Sequence, residues 1–499
     1  MFLWRILLSA FFLISSHKGH FWGLSAWISL IPWLDMLDKS RQNRQAFGWS
    51  FSLGMLFYLP AAFWLTHVTY AGYFFLCVFL SFYFAIFGLL YRFFSTLSMW
   101  PRILVLSALW TSLEYVRSLG PFGLTWFFLG SSQIHNLPFC QIVSLGGFFA
   151  TSFVIFWVNG GIHTWLSKRK ISPFVAGAIL VVILELYGFA KLNKEEVKGP
   201  ELKIAAIQAD VQQDLKWDEE YQAGIYYQYQ KLTLEAGKKH PDIIIWPETA
   251  IPGDIHQDKE LRKWLSFLGQ ETEASFLVGA NNDRWDQEGF VTNAAFLLNE
   301  KGKIIDRYDK IHLVPFGEYI PFRTLIPWLG KLTIGDIDFS PGKDFHVFNL
   351  KKVRFSVLLC FEDTLPRHVR KFVRKGAQLL FNLTNDAWFK DSSAAWEHFN
   401  LARLSAIANG VTLVRVTNTG VSGVISSRGE TLNIIKDTHN DSVEVEGVFV
   451  EKVGESFPRT LYLKVGDLFS DICCTVVILA FFAKMASRVK KTKGGLYAQ

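Results

Sequence analysis

Cys360 closes the run Arg354-Phe355-Ser356-Val357-Leu358-Leu359 and is followed by Phe361-Glu362-Asp363 and then Pro366, so its thiol is expected on a strand-to-helix turn. Backbone N–H groups at such a turn favour a developing negative charge, whether on a thiolate or on an oxyanion. Two other positions repeat the pattern of a reactive group placed just after an apolar run. Glu248 follows Ile243-Ile244-Ile245-Trp246-Pro247, a stretch too apolar to be a surface, and burial there raises a carboxyl toward the range of a general base. Lys310 follows the run 303–308 and opens Ile311-His312-Leu313-Val314-Pro315-Phe316-Gly317-Glu318. Taken singly, each reads as well as a core thiol or a solvated strand end. Taken together they divide an acyl transfer. Glu248 removes the thiol proton, Cys360 attacks an ester carbonyl, Lys310 and backbone N–H groups hold the tetrahedral oxyanion, and Glu248 returns the proton to the leaving group. A base or cation is needed because a thiol of ordinary pKa, about 8.5, is mostly protonated at neutral pH.

The elements that must position these groups are legible between 203 and 450. Short β-type runs at 202–209, 242–246, 276–280, 294–298, 303–308, 353–360, 378–383, 412–417 and 423–426 alternate with helical patterns at 219–236, 258–268, 365–374 and 398–408. That is an α/β domain with a mostly buried sheet. The reading expects the three strand ends to converge at one edge of a single, largely parallel sheet, where α/β sites collect. The chain shows no internal repeat and no Gly-rich phosphate loop.

Outside that stretch the composition changes. Half of the 499 residues are hydrophobic and only 19% are charged, with 46 Phe and 18 Trp, which excludes a disordered chain and argues against an ordinary soluble one. Apolar segments centred near 8, 27, 57, 80, 108, 152 and 181, with an eighth at about 468–485, predict eight membrane-spanning helices. The first could also be read as a signal peptide, but no small-residue cleavage site follows it. Lys39, Arg41, Arg44, Arg92, Arg102, Lys168, Arg169, Lys170 and the basic tail from Arg488 fall in alternate loops, so both termini are expected in the cytoplasm. Seven spans then deliver the α/β domain to the opposite face, a periplasm where the cell has one. The expected division is a membrane body over 1–190, a catalytic domain over 203–455 and a last helix over 466–487. The net charge of +7 flanks apolar segments and forms no long stripe, which argues against nucleic acid as a partner.

Five cysteines make no metal-type spacing, and with no clustered His and Asp ligands neither a metal nor a cofactor is expected. The Pro-punctuated aromatic stretch 319–329 suits a loop at the bilayer surface, its other reading being a loop packed on the core. Glu114 and Arg117 fall at an outer membrane boundary, as functional groups or as a pair at a helix end. His312 and His398 are expected to support the site and not to react.

Trp246-Pro247-Glu248, Lys310 with the run 312–318, and Cys360-Phe361-Glu362 resemble the Glu-Lys-Cys triad of the nitrilase superfamily. The membrane frame, Lys216-Trp217, Asn385-Asp386-Ala387-Trp388-Phe389 and Val465-Gly466-Asp467 are similar to the apolipoprotein N-acyltransferase family along essentially the whole chain. That resemblance implies a nitrilase-like αββα sandwich on an eight-helix body in the bacterial inner membrane. It also implies a ping-pong reaction in which Cys360 takes an acyl chain from a phospholipid, typically phosphatidylethanolamine, as a thioester. The acceptor would be the α-amine of an S-diacylglyceryl-cysteine at a lipoprotein N-terminus, and the enzyme a monomer. By the same match Glu318 supports the triad, Glu362 shapes the site, and Trp217 lies at its entrance, with Trp388 among the substrate-binding residues. Two departures stand out. Phe361 occupies a position where the family commonly has Tyr, and Ala394-Ala395-Trp396-Glu397-His398 replaces a run like Gly-Pro-His-Gln-His.

Overall fold

The computed structural model describes residues 3–18, 22–194, 199–213, 215–253, 255–284, 290–321, 338–454, 456 and 460–496. The bilayer-facing loop expected at 319–329 therefore lies outside the described residues from 322 onward.

The described residues up to 194 form a helical body. α1 (Leu3–Ser16) is answered by a 3₁₀ turn (Trp22–Trp27) and α2 (Ile31–Lys39), which run back along it. Arg5 at the start of α1 pairs with Asp35 near the end of α2, and the Trp33 N–H donates to Ser9 Oγ at 3.1 Å. The apolar segment centred near 27 is therefore interrupted, not one smooth helix. At the break, Asn159 accepts from Leu30 N and donates to the Ala26 carbonyl, both at 2.9 Å, satisfying backbone groups that no helix pairs.

α3 (Asn43–Ala61), α4 (Tyr70–Phe93), α5 (Met99–Arg117), the single turns α6 (Leu137–Cys140) and α7 (Val143–Gly146), α8 (Phe148–Lys168) and α9 (Ser172–Leu192) complete this body. Polar groups gather at its two ends. At one end Asp38 accepts from Arg102 at 2.6 Å and from Tyr91 at 2.8 Å, and Arg92 reaches Ser40 and Asn43. At the other, His67 Nδ1 lies 3.0 Å from the Phe389 carbonyl and Arg428 donates to the Leu192 carbonyl at 2.8 Å, so this end abuts the α/β unit. Against an expectation of eight spans, three helices among the described residues are both long and apolar enough to cross a bilayer: 70–93, 172–192 and 468–489. A fourth is added if α6–α7 and α8, bent by 118°, count as one broken span. α1 has only 14 residues.

Among the described residues the α/β unit has twelve strands: β1 (Glu201–Gln208), β2 (Ile243–Ile245), β3 (Ser275–Arg284), β4 (Phe290–Leu298), β5 (Ile304–Asp309), β6 (Phe348–Leu350), β7 (Val353–Leu359), β8 (Leu379–Thr384), β9 (Thr412–Thr417), β10 (Gly423–Ile425), β11 (Thr431–Ile434) and β12 (Gly447–Gly454). They form two six-stranded sheets, in the orders β12-β1-β2-β3-β4-β5 and β11-β10-β9-β8-β7-β6. Only β1-β2-β3 and β7-β8-β9 pair in parallel. The expectation of one sheet is corrected here: Glu248 and Lys310 follow strands of the first sheet, and Cys360 follows a strand of the second. Side-chain alternation explains the layering. Leu202, Ile204 and Ile243 face Val357, Phe381 and Leu413 in a core between the sheets. Ala205, Ile207, Ile244 and Phe276 face outward, onto Ile225, Tyr229 and Leu232 of α10 (Glu219–Gly237) and Leu261 and Leu265 of α11 (Lys259–Thr272). α12 (Pro366–Lys375) and α13 (Ala394–Asn409) join the second sheet through Val369, Phe372, Phe399 and Ala402, giving four layers, αββα. α14 (Leu461–Val465) then leads to α15 (Leu468–Leu496), which returns along the body until Lys484 donates to Thr96 at 2.7 Å.

Candidate active site

Glu248 leaves β2 on a turn pressed against the first sheet. A Cβ on Gly279 of β3 would come within 2.3 Å of the Pro247 carbonyl, so this close approach requires glycine. The carboxylate is almost fully enclosed. Oε1 accepts from Lys310 Nζ at 3.2 Å and from Asn293 Nδ2 at 2.7 Å, while Oε2 accepts from the Asn385 N–H at 3.0 Å.

Lys310 is the residue after β5, fixed by backbone bonds from its own N–H to the Asn293 carbonyl and from Gly342 N–H to its carbonyl. Its side chain is 1% exposed, and Nζ also donates to Glu318 Oε1 at 2.7 Å. Burial alone would lower its pKa, but the Glu248 and Glu318 carboxylates outweigh it and hold the ammonium well above its ordinary value. Glu318 is itself fixed by Val314 N–H at 2.8 Å and by Asn293 at 3.1 Å.

Cys360 follows β7 in the left-handed region, φ +52°, an uncommon conformation for a residue with a Cβ and one found at functional turns. Asn382 of the neighbouring strand donates to its carbonyl at 2.9 Å. Burial and the Glu248 charge push the thiol well above its ordinary pKa, with Lys310 pulling the other way. Cys360 therefore rests as a thiol, and to act as a nucleophile it would need a base to take its proton.

Glu362 ties the two sheets together at the site. Its carboxylate accepts from Leu359 N–H beside Cys360 and from Ile311 and His312 N–H beyond Lys310, all at 2.9 Å, as well as from Tyr308 OH. Burial would raise its pKa, yet His368 at 3.1 Å and these donors bring it down to about 2. Phe361 is held between two rings. Trp126 stacks on it at 5.5 Å, His312 at 5.8 Å.

The remaining expected residues sit farther out. Trp217 is 51% exposed, whereas its neighbour Lys216 is buried and donates to Thr249 Oγ1 at 2.8 Å. Burial brings the Lys216 pKa down to about 8. Trp388 is also exposed, while Phe389 next to it packs on Trp64 of the helical body. His398 bridges Asp363 and Asp386 at 3.0 Å each, and Arg415 pairs with the same two carboxylates. Glu114 and Arg117 turn to the Trp126 loop instead of to each other: Arg117 donates to the Trp126 carbonyl, and Glu114 accepts from Leu129 N–H, both at 2.8 Å.

Sequence reasoning assigned no site contact to Asn293, Asn385 or Trp126, although Asn385 lies in the run 385–389 that carries the family resemblance. Asn293 left a trace, as a polar residue within the apolar run 290–298. Asn385 and Trp126 reach Glu248 and Phe361 from distant segments, contacts that no local pattern marks.

A family model for carbon-nitrogen hydrolases matches residues 203–440, and one for the N-terminal domain of apolipoprotein N-acyltransferase matches residues 9–161. Among curated relatives, the apolipoprotein N-acyltransferase of Geobacter metallireducens is 34% identical over 92% of this chain and 91% of its own length. That of Chlorobaculum tepidum is 30% identical over 80% and 81%. Among solved structures, an amidase from Nesterenkonia sp. is 18% identical with a TM-score of 0.39, covering 55% of this chain and 95% of that one. With both units matched and near end-to-end identity of that order, the chain belongs to the apolipoprotein N-acyltransferase family.

Proposed function

We propose that the protein transfers an acyl chain from a phospholipid to the α-amine of the N-terminal S-diacylglyceryl-cysteine of lipoproteins, through a thioester on Cys360. The observation that carries this reading is Lys310, held between Glu248 and Glu318 at strand ends that adjoin the Cys360 turn. In the first half-reaction Glu248 takes the thiol proton as Sγ bonds to the ester carbonyl carbon. The oxyanion forms beside the Lys310 ammonium, the glycerol oxygen leaves with the proton from Glu248, and a lysophospholipid departs. In the second, the acceptor amine attacks the thioester, Glu248 takes the amine proton, and the thiol is regenerated as the amide forms.

The donor in this reading is phosphatidylethanolamine and the enzyme a monomer of the bacterial inner membrane. Residues 1–190 and 466–487 make eight crossings, with the segment near 27 a broken one, and the catalytic domain, 203–455, faces the periplasm with both termini in the cytoplasm. The polar end holding Asp38, Arg92 and Arg102 supports that orientation, because basic residues collect on the cytoplasmic side. Trp217 and Trp388, both exposed, would line substrate entry.

The test incubates detergent-solubilised protein with phosphatidylethanolamine and no acceptor, followed by mass spectrometry of the Cys360 peptide. A hydroxylamine-sensitive acyl adduct that persists in water and discharges onto diacylated lipopeptide is expected. An adduct that water removes would make the protein a membrane-tethered hydrolase, and no adduct with several phospholipids would end the lipid-donor reading.

A further inference from the structure

The ammonium of Lys216, on a residue only 2% exposed, is aimed at the turn that carries Glu248. Nζ donates to Thr249 Oγ1 at 2.8 Å and reaches the Glu248 backbone carbonyl at 3.4 Å. Both partners are neutral oxygens. Enclosing an ammonium among neutral partners is costly, and a methionine would fill the same length of side chain without that cost, so what lysine adds here is its hold on the turn. Burial lowers its pKa and the Glu248 charge raises it again, and at about 8 the group is mostly charged near neutrality.

The turn itself is strained. Thr249 has φ +48°, in the left-handed region, an unfavourable conformation for a β-branched residue. The chain on either side is fixed to β3, by Trp246 N–H donating to the Leu277 carbonyl at 2.9 Å and Ala250 N–H to the Gly279 carbonyl at 2.8 Å. Pro247, Glu248 and Thr249 bridge these two fixed points, and Lys216 grips the chain between them.

The stretch between β1 and α10 that supplies Lys216 also presents Trp217, 51% exposed, and it reaches the base by a second route. Gln213 Oε1 accepts from Asn385 Nδ2 at 2.8 Å, and the Asn385 N–H donates to Glu248 Oε2 at 3.0 Å. Asn418 ties the start of the stretch to the same asparagine, donating to the Val211 carbonyl at 2.7 Å and to Asn385 Oδ1 at 3.0 Å. Backbone and carboxylate of Glu248 are thus both held from the chain that carries Trp217.

We propose that Lys216 is a positioning residue for acyl transfer, its ammonium fixing the strained turn that aims Glu248 at Cys360. The proposal rests on the acyl-transfer reading above and deepens it. Lys216 touches no reacting atom and acts through Thr249 and the Glu248 backbone.

The experiment follows a single turnover in full-length, detergent-solubilised protein. Thioester formation on Cys360 is read against the concentration of phosphatidylethanolamine and, separately, of p-nitrophenyl butyrate, an activated ester that acylates a thiol without lipid recognition. Because misplacing a reacting group by about 1 Å costs on the order of a hundredfold, Lys216→Met is expected to lose about ten- to a hundredfold in rate at saturating donor. The donor concentration at half-maximal rate and the thermal unfolding midpoint are expected to stay as in wild type. Thr249→Val is slowed as well, Thr249→Ser, which keeps the hydroxyl, is not, and Lys216→Met combined with Thr249→Val is no slower than Lys216→Met alone, because both remove one contact. A wild-type rate in Lys216→Met, a loss confined to the half-maximal concentration, equal rates for the two variants at 249, or losses that multiply in the double variant overturn the proposal. If Lys216→Met fails to fold, the comparison of Thr249→Val with Thr249→Ser decides alone. A wild type acylated by the activated ester and by no phospholipid would end the lipid-donor reading and leave the Lys216 comparison to be read on that ester, whereas acylation by neither ends both.

Discussion

Trp126 of the helical body lies face to face with Phe361 of the α/β unit, with ring planes 5° apart and centroids separated by 5.5 Å. The contact couples a loop at the end of the body to the residue that follows Cys360.

Phe361→Ala removes the middle ring of the Trp126–Phe361–His312 stack, each aromatic pair being worth about 0.5–1.5 kcal/mol. Slower thioester formation on Cys360 is expected, with insertion and yield preserved, and Phe361→Tyr is expected to keep most of the rate. Equal rates for Phe361→Ala and wild type would show that the stack does not hold the nucleophile.

Glu248→Gln separates ionisation from catalysis. The Glu248 charge raises the thiol pKa, so its removal should speed alkylation of Cys360 by iodoacetamide at pH 8 while acyl transfer is lost. A variant slow in both reactions would mean that Glu248 supports the thiolate instead of opposing it.

Lys310→Ala leaves Glu248 and Glu318 buried together with no cation between them. Breaking a buried pair in this way costs about 3–5 kcal/mol, so the midpoint of thermal unfolding in detergent should fall by several degrees. Lys310→Ala combined with Glu318→Gln should recover part of that stability without recovering activity, which distinguishes the structural contribution of Lys310 from the catalytic one proposed for it.

Glu362 gives the fold an acid limit. Its folded pKa of about 2 lies below the 4.5 of an ordinary glutamate, so its stabilisation is complete above about pH 4.5 and is lost as pH falls from there through 2. Glu362→Gln should be less stable at neutral pH and show a flatter unfolding midpoint between pH 5 and pH 3. An unchanged slope in that window would assign the acid sensitivity to other carboxylates.

Arg415→Ala should be among the most destabilising changes in the α/β unit, because Asp363 and Asp386, both buried, would keep only His398 between them. A loss of about 3–5 kcal/mol is expected from denaturant unfolding of the purified protein.

The parts of the site that were legible in the sequence are those fixed locally. Glu248 and Cys360 each follow a strand that ends in a buried apolar run, Ile243–Ile245 and Val357–Leu359, so the chain itself marks where the strand stops and a polar group begins, whereas the strand before Lys310 is only partly buried and carries Asp306, Arg307 and Asp309. Which sheet each strand joins depends on pairing between distant segments, and that is where the single-sheet expectation failed. β12 pairs with β1 across some 245 residues, a partnership that neither segment records. The break at Ser29–Leu30 was equally hidden, because it is Asn159, on another helix, that makes an interrupted backbone tolerable there.

The β1–β12 pairing also sets an order of assembly. β1 is among the first parts of the α/β unit to leave the ribosome and β12 among the last, so the first sheet carries an open edge for nearly the whole synthesis of the unit. Only when β12 arrives is that edge covered. α15 follows almost at once, so completion of the sheet and anchoring of the chain's last helix fall within the same short stretch of translation.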